Sequence, residues 1–313
     1  MWFKNVQPFV LSEAVPYDPE ALSAELACIP WVPCSGAAPE TAGFVPPIGG
    51  EGAPLAYGAQ GFMLFCLKIQ KKVLAPAVVR ERFEEKLAEI EEKQGRQLFK
   101  DEQRRLKEDL HATMLSQSFP MSTKIHAMID TRTNHLYIDS TTARYVDKMV
   151  TLFKQVFPEQ TISMHTLISP PAVMTHWLMT NAYPDSVSLA DSCVLADGDE
   201  RQGVVRFTRK DLCSKAVERL LTEGSQVVQL AVNWRGQLQC QIRKDFSFSG
   251  IKYSDAVREL AKDHLSETPE QRFASNFLLM AETVTAFVNS LLPAFEEKSA
   301  QATKRVEDIK EPA

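Results

Sequence analysis

Residues 226–244 read QVVQLAVNWRGQLQCQIRK, and their alternation decides the fold class. Val228, Leu230, Val232 and Trp234 recur at every second position, and after Arg235-Gly236 so do Leu238, Cys240 and Ile242. A period of two belongs to a strand with one buried and one wet face. Two such runs around a short Gly-containing break predict an antiparallel hairpin. The other face of the second strand carries Gln237, Gln239, Gln241 and Arg243. It holds no carboxylate and could lie beside a polyanion, and plain solvent exposure explains it equally well.

The same order of elements is echoed upstream. KIHAMID (124–130), TRTN and HLYID (135–139) predict a hairpin, followed by a helix from about Thr141 to Phe157. After the hairpin at 226–244 a helix is expected from about Ser254. Hairpins followed by helices define an α+β protein with an antiparallel-sheet body and flanking helices. Residues 77–117 differ. Val79, Phe83, Leu87 and Ile90 keep helical spacing after Pro76, and beyond Gly95 so do Leu106, Leu110 and Met114. The remaining positions are dense in Glu, Lys and Arg, so these two amphipathic helices are expected to form a projecting, solvated, salt-bridged arm. Phe273, Phe277, Met280, Val284, Phe287 and Leu291 mark a long C-terminal helix that Pro293 is expected to stop. The organisation expected is residues 1–76 as the N-terminal part of the sheet body, 77–119 as the arm, 120–292 as the remainder of the body, and 293–313 as a flexible tail.

The 313 residues carry a formal charge of −5, which argues against a uniformly basic nucleic-acid binder. The charge is unevenly placed. Residues 61–125 hold thirteen bases against ten acids, and residues 201–252 hold ten against four, while the other stretches are acidic. The denser segment is RQGVVRFTRKDLCSK (201–215), followed by Arg219, Arg235, Arg243, Lys244 and Lys252. Local cations suffice for a polyanion, because salt screens charges beyond about 10 Å. Arg206, Arg209, Lys210 and Arg243 in this segment, with Lys71 and Lys72 in the earlier one, are the candidate contacts to a polyanion, although chance clustering explains the charge equally well. A helix is expected to begin near Asp211 and to offer its N-terminus to a phosphate beside Arg209-Lys210.

Several chemistries lack their signatures. There is no GxxxxGK[ST] phosphate loop, no GxGxxG after a strand, no HExxH and no GxSxG. The six cysteines are scattered without a CxxC pair, as expected of free thiols in a reducing cytosol. The opening MWFKNVQPFVLSEAVPYD lacks the features of a secretory leader. The most apolar stretch, Phe273 to Leu292, contains Asn276, Glu282 and Asn289, so a soluble amphipathic helix is expected rather than a membrane span. His126 and His135 are expected to face each other across the first hairpin as a surface pair. No metal, cofactor or catalytic residue is called for. Asp130, Asp139 and Asp147 could nevertheless hold Mg²⁺ in a nuclease. A repair-protein interaction module that never touches DNA is the other open reading.

Strings along the chain resemble the RdgC family. They are MWFKN (1–5), GFVPPIGG (43–50), VLAPAVVRERFEEKLAEIEEKQGRQLFKDEQRRLKEDL (73–110), SFPMSTKIHAMID (118–130), GVVRFTRKDL (203–212), VVQLAVNW (227–234) and QRFASNFLLMAETV (271–284). The resemblance runs from about Met1 to Leu292 and rests on their order and spacing rather than on one motif. It implies a ring-shaped homodimer with a positively charged hole that binds double- and single-stranded DNA with little sequence preference. It further implies a non-enzymatic, cytoplasmic, nucleoid-associated protein of recombination and replication that limits access of the recombinase RecA to DNA. In the family an exposed Phe after the arm packs into the partner subunit, and the matching residue is Phe119; a Phe packed within its own subunit is the alternative. The family's basic-polar pair before an Asp-Leu matches Arg209-Lys210, although two cations stand where the family often has Lys-Gln.

Overall fold

The computed structural model describes the chain apart from residues 16, 37, 51, 198–202, 210, 211, 213, 264–267 and 297–313. Its elements are β1 (Asn5–Leu11), α1 (Pro19–Leu26), β2 (Glu40–Val45), β3 (Ala56–Ala59), β4 (Phe62–Lys72), α2 (Pro76–Gln94), α3 (Lys100–Gln117), β5 (Pro120–Asp130), β6 (His135–Ile138), α4 (Ala143–Val156), β7 (Ile162–Ser163), α5 (Pro170–Thr180), β8 (Val187–Ala196), β9 (Val204–Thr208), α6 (Lys215–Thr222), β10 (Gln226–Trp234), β11 (Leu238–Arg243), β12 (Phe248–Tyr253), α7 (Asp255–Asp263) and α8 (Pro269–Phe295). The strands form one antiparallel sheet in the order β2-β4-β5-β6-β1-β12-β11-β10-β8-β9, with β3 beside β4 and β7 beside β1. The α+β class is as expected.

β1 is the seam of this sheet. Its first residues, Asn5 and Val6, pair with Ser249 and Phe248 of β12, and Gln7 to Val10 pair with β6. On the β12 side of the seam the sheet buries one face only. Leu230, Val232, Trp234, Cys240 and Ile242 pack there with Met174 and Trp177 of α5 and Phe277, Val284 and Phe287 of α8. On the β6 side both faces are apolar. Phe62, Leu64, Met128 and Tyr137 join that same core, while Met63, Phe65, Leu67, Ala127 and Ile129 face Leu22 and Leu26 of α1 and Met149 and Phe153 of α4. This explains the unbroken apolar run FMLFCL at the start of β4, since a strand covered on both faces need not alternate.

The hairpin at 226–244 forms as predicted. Arg235 and Gly236 both take positive φ, 49° and 66°, and the Gln237 amide closes the turn on the Trp234 carbonyl at 2.8 Å. Positive φ at both central residues suits the twist of a tight hairpin. A bulge between Val227 and Gln229 changes one assignment, so that Val227 rather than Val228 enters the core. A third strand, β12, stands between this hairpin and α7 and was not expected from the sequence. The arm is present as two helices joined through Gly95 at φ 62°, with Val79 its only buried residue among α2 and α3. Arg82–Glu85, Lys86–Glu89 and Arg96–Glu102 pair along its exposed surface.

The C-terminal helix differs from expectation at its C-terminal end, which Pro293 does not stop. It begins at Pro269, where Thr268 and Gln271 cap each other's backbone amides. It continues through Pro293 to Phe295, whose fully buried ring packs against Trp177 and Phe246. Burial of that ring holds the last turn although Pro293 has no amide to donate. Among the described residues α8 alone is long and apolar enough to cross a membrane, but 56% of its most apolar stretch is buried in the protein, as a core helix requires.

Candidate nucleic-acid interface

The uncovered face of the β8–β12 half gathers the basic segment. Register places Arg206 of β9 opposite Val194 of β8, Val194 opposite Gln229 of β10, and Gln229 opposite Arg243 of β11. Residues directly opposite in an antiparallel sheet share a face, so Arg206 and Arg243 stand on one line across four strands. At about 4.8 Å per strand they are roughly 14 Å apart. The Gln229 amide donates to the Gln241 side-chain oxygen between them. Ser192, Val194, Arg206, Thr208, Gln229 and Gln241 line a shallow cleft at this point. One strand further on, Lys252 of β12 lies opposite Gln239 and is exposed. The strands β9, β10, β11 and β12 contain no Asp or Glu. Neither Arg206 nor Arg243 has an ion-pair partner among the described residues. β8, which lies between β10 and β9, adds the exposed Asp191, so the surface is rich in amides and guanidiniums but carries one acid of its own.

Arg209 follows β9 directly, is exposed and adopts φ 53°. That left-handed conformation is uncommon outside glycine and turns the chain sharply away from the strand. Lys210 and Asp211 lie outside the described residues. The helix expected from Asp211 begins instead at Lys215, after Ser214 in the extended conformation that precedes a helix.

The earlier basic segment splits. Lys71 is exposed and lies opposite Glu40 in register, and the Glu40 carboxylate already binds two cations, Arg144 and Lys148 of α4. Lys72 is a correction. It is 5% exposed, and its ammonium donates to the carbonyls of Gly36 and Ser116. A side chain at this parity points under the base of the arm and cannot reach a phosphate without giving up both bonds. Phe119, between α3 and β5, is 88% exposed, beside the half-exposed Val73, whose amide donates to the Phe119 carbonyl at 3.1 Å, and two residues before the half-exposed Met121. It does not pack within its own subunit.

The acidic residues are dispersed. Asp130 is fully buried, and its two oxygens accept from Arg132 Nε at 2.8 Å and Nη2 at 2.9 Å. Asp139 accepts from the Lys4 and Asn5 amides at 3.0 and 2.8 Å, and burial pushes its carboxyl up to about 6 against those bonds. Asp130 sits opposite His135, and the Asp139 amide binds the His126 carbonyl, so the two acids occupy opposite ends of the hairpin, about 13 Å apart. Asp147 is on α4. The three do not converge, and among the described residues no three His, Cys, Asp or Glu side chains could share a metal. The expected His126–His135 pair is also corrected. The four-residue turn sets Asp130 against His135, and His135 instead stacks on His165 at 4.9 Å between ring centroids. The five described cysteines are free thiols.

Sequence reasoning named Lys252 but missed β12, the strand that sets it on this face, and missed the line joining Arg206 to Arg243. Phe246, Phe248, Ile251 and Tyr253 carried a usable signal, broken in phase by Gly250 at φ 64°.

The fold and this face define an α+β protein with a broad cationic sheet surface and a projecting helical arm. Known proteins with the same sequence pattern bear on which one it is. A family profile described as "RdgC: Putative exonuclease, RdgC" matches residues 1–298. The chain is 30% identical to Recombination-associated protein RdgC of Halorhodospira halophila over 301 residues, 96% of this chain and 99% of that one. It is 31% identical to the protein of that name from Tolumonas auensis over 96% of this chain and all of that one. To the protein of that name from Pseudomonas entomophila it is 31% identical over 94% and 97%. The chain belongs to the RdgC family.

Proposed function

We propose that this protein is a recombination-associated, non-catalytic DNA-binding protein that closes as a homodimer around double- or single-stranded DNA. It acts on nucleoid DNA in the cytoplasm, through phosphates rather than bases, and limits access of RecA by occupying the strand. The observation that carries this reading is the Arg206–Arg243 line on a face whose strands β9–β12 contain no carboxylate. Cations without internal partners gain most from a polyanion, whose binding releases condensed counterions. Contacts to phosphate fix position without reading sequence. The exposed Phe119 ring at the arm's base supports a subunit contact, because a lone aromatic this exposed gains by burial in a partner.

The test is a fluorescence-anisotropy titration with labelled random-sequence duplexes across a salt series. Affinity is expected to fall on the order of 10³-fold or more between 50 and 200 mM salt and to vary little with sequence. A flat salt response, or a strong preference for one site, overturns the reading. Degradation of the probe with Mg²⁺ would overturn its non-catalytic part and favour the exonuclease description of the family profile.

A further inference from the structure

The arm-bearing half of the sheet has an open cationic stretch of its own, on the opposite face from the Arg206–Arg243 line. Along β4, the residues sharing a face with Phe62 and Leu64 continue as Cys66, Lys68 and Gln70. Their register partners on β5 are His126, Lys124 and Ser122. Lys68 and Lys124 are thus direct cross-strand partners. Like charges directly opposite are destabilising in an antiparallel pair. Neither ammonium has a carboxylate within ion-pair distance among the described residues.

No acid relieves the repulsion; the nearest stabilising contact is an aromatic face that attracts one of the two ammoniums. Lys68 lies over the Trp31 indole, 3.3 Å from the ring centroid, and Lys124 is exposed. The Trp31 segment is seated on Gly43, the partner of Lys68 on β2, where a Cβ would come within 2.5 Å of the Pro30 carbonyl. Gln70 is occupied by the Cys34 amide and Ser122. His126 feels a further cation besides Lys124, the Met1 amine, and burial above all holds its imidazole down to about 4, hence neutral at pH 7. The carboxylate on this hairpin nearest to His126 in register, Asp139, accepts from the Lys4 and Asn5 amides.

We infer that Lys68 and Lys124 form a phosphate-binding site, with the anion seated between the two ammoniums and the Trp31 ring fixing one of them. Cross-strand Cβ atoms stand about 5 Å apart, so two long stems can converge on one phosphate group. A nucleic-acid backbone and a free phosphate share this chemistry. The site stands whether or not the Arg206–Arg243 face binds DNA.

The experiment compares wild type with Lys68→Gln/Lys124→Gln in two arms. One is thermal melting in inorganic phosphate against chloride of equal ionic strength; the other is the salt titration with labelled random-sequence duplex. Wild type is expected to melt about 2 °C higher in phosphate and the double variant to lose that rise. If the backbone is the source, the variant's log–log salt slope also becomes shallower by about 0.9 for each phosphate no longer neutralised. Loss of the phosphate response with an unchanged DNA slope assigns the site to free phosphate. Lys124→Gln, which keeps the Lys68–Trp31 stack, guards against misfolding, and Lys68→Arg/Lys124→Arg should restore both responses. A double variant that matches wild type in both arms overturns the site.

Discussion

Arg206 and Arg243 belong to different hairpins yet share one line across β9, β8, β10 and β11, with Val194 and Gln229 between them. Replacing both by Gln keeps the polar face and removes two cations per chain. The expected result is weaker binding to every DNA sequence alike and a salt slope shallower by about 1.8 per chain, read by anisotropy. Unchanged slope with intact circular dichroism would move the DNA contact elsewhere.

Arg209→Ala with Lys210→Ala extends the test to the residue at φ 53° and its neighbour. The same uniform loss of affinity is expected, again with about 0.9 less slope for each phosphate released. Strong discrimination between sequences by wild type but not the variant would show base reading instead.

Phe119 at 88% exposure predicts a substitution that spares the fold. Phe119→Ala should change the stability of the isolated chain by about 0.5 kcal/mol or less, as surface substitutions do. The dimer dissociation constant, measured by analytical ultracentrifugation, should rise on the order of 30-fold, corresponding to about 2 kcal/mol for an aromatic anchor. A dimer as tight as wild type excludes this ring as the subunit contact.

Lys72→Met removes the ammonium that joins the Gly36 loop to the last turn of the arm at the Ser116 carbonyl. Two carbonyls lose a charged donor, and a cost of about 1–3 kcal/mol in urea unfolding is expected. Amide exchange should quicken at the end of α3. Equal stability would mean water replaces the ammonium without loss.

Asp139 gives a pH signature. Its carboxyl titrates near 6 in the fold and near 3.8 when free, so between these values the folded state holds the extra proton. Stability from this group therefore falls as pH rises from about 4 to 6 and is level above, by about 3 kcal/mol at most. Asp139→Asn keeps an acceptor for the Lys4 and Asn5 amides. Its stability advantage over wild type should open across that window in urea titrations. An advantage independent of pH would place the cause in packing.

The sequence made some of this plain and concealed the rest for physical reasons. The 226–244 hairpin and the arm were legible because periods of two and of helical spacing report local burial directly. β12 was hidden because Gly250 breaks its phase. The passage of α8 through Pro293 was hidden because a distant contact, Phe295 against Trp177 and Phe246, outweighs the local rule. The basic segment was visible as composition. Its arrangement was not, since β8 lies between β9 and β10 and no spacing along the chain brings Arg206 into line with Arg243. The same non-local order is why Lys72 looked like a surface cation beside Lys71.

The seam strand has a consequence for how the molecule is made. β1 leaves the ribosome long before β12, so the edge offered by Asn5 and Val6 waits for Phe248 and Ser249, more than 240 residues further along the chain. Domains fold from the N-terminus as they emerge, yet here an early strand is locked by one made much later. Until then its β12 edge is open to foreign strands, and final closure is a long-range step of the slow kind. Truncation just before Phe248 should therefore remove β12 together with α8, leaving the two halves of the sheet without the strand that joins them and the shared core without its long helix.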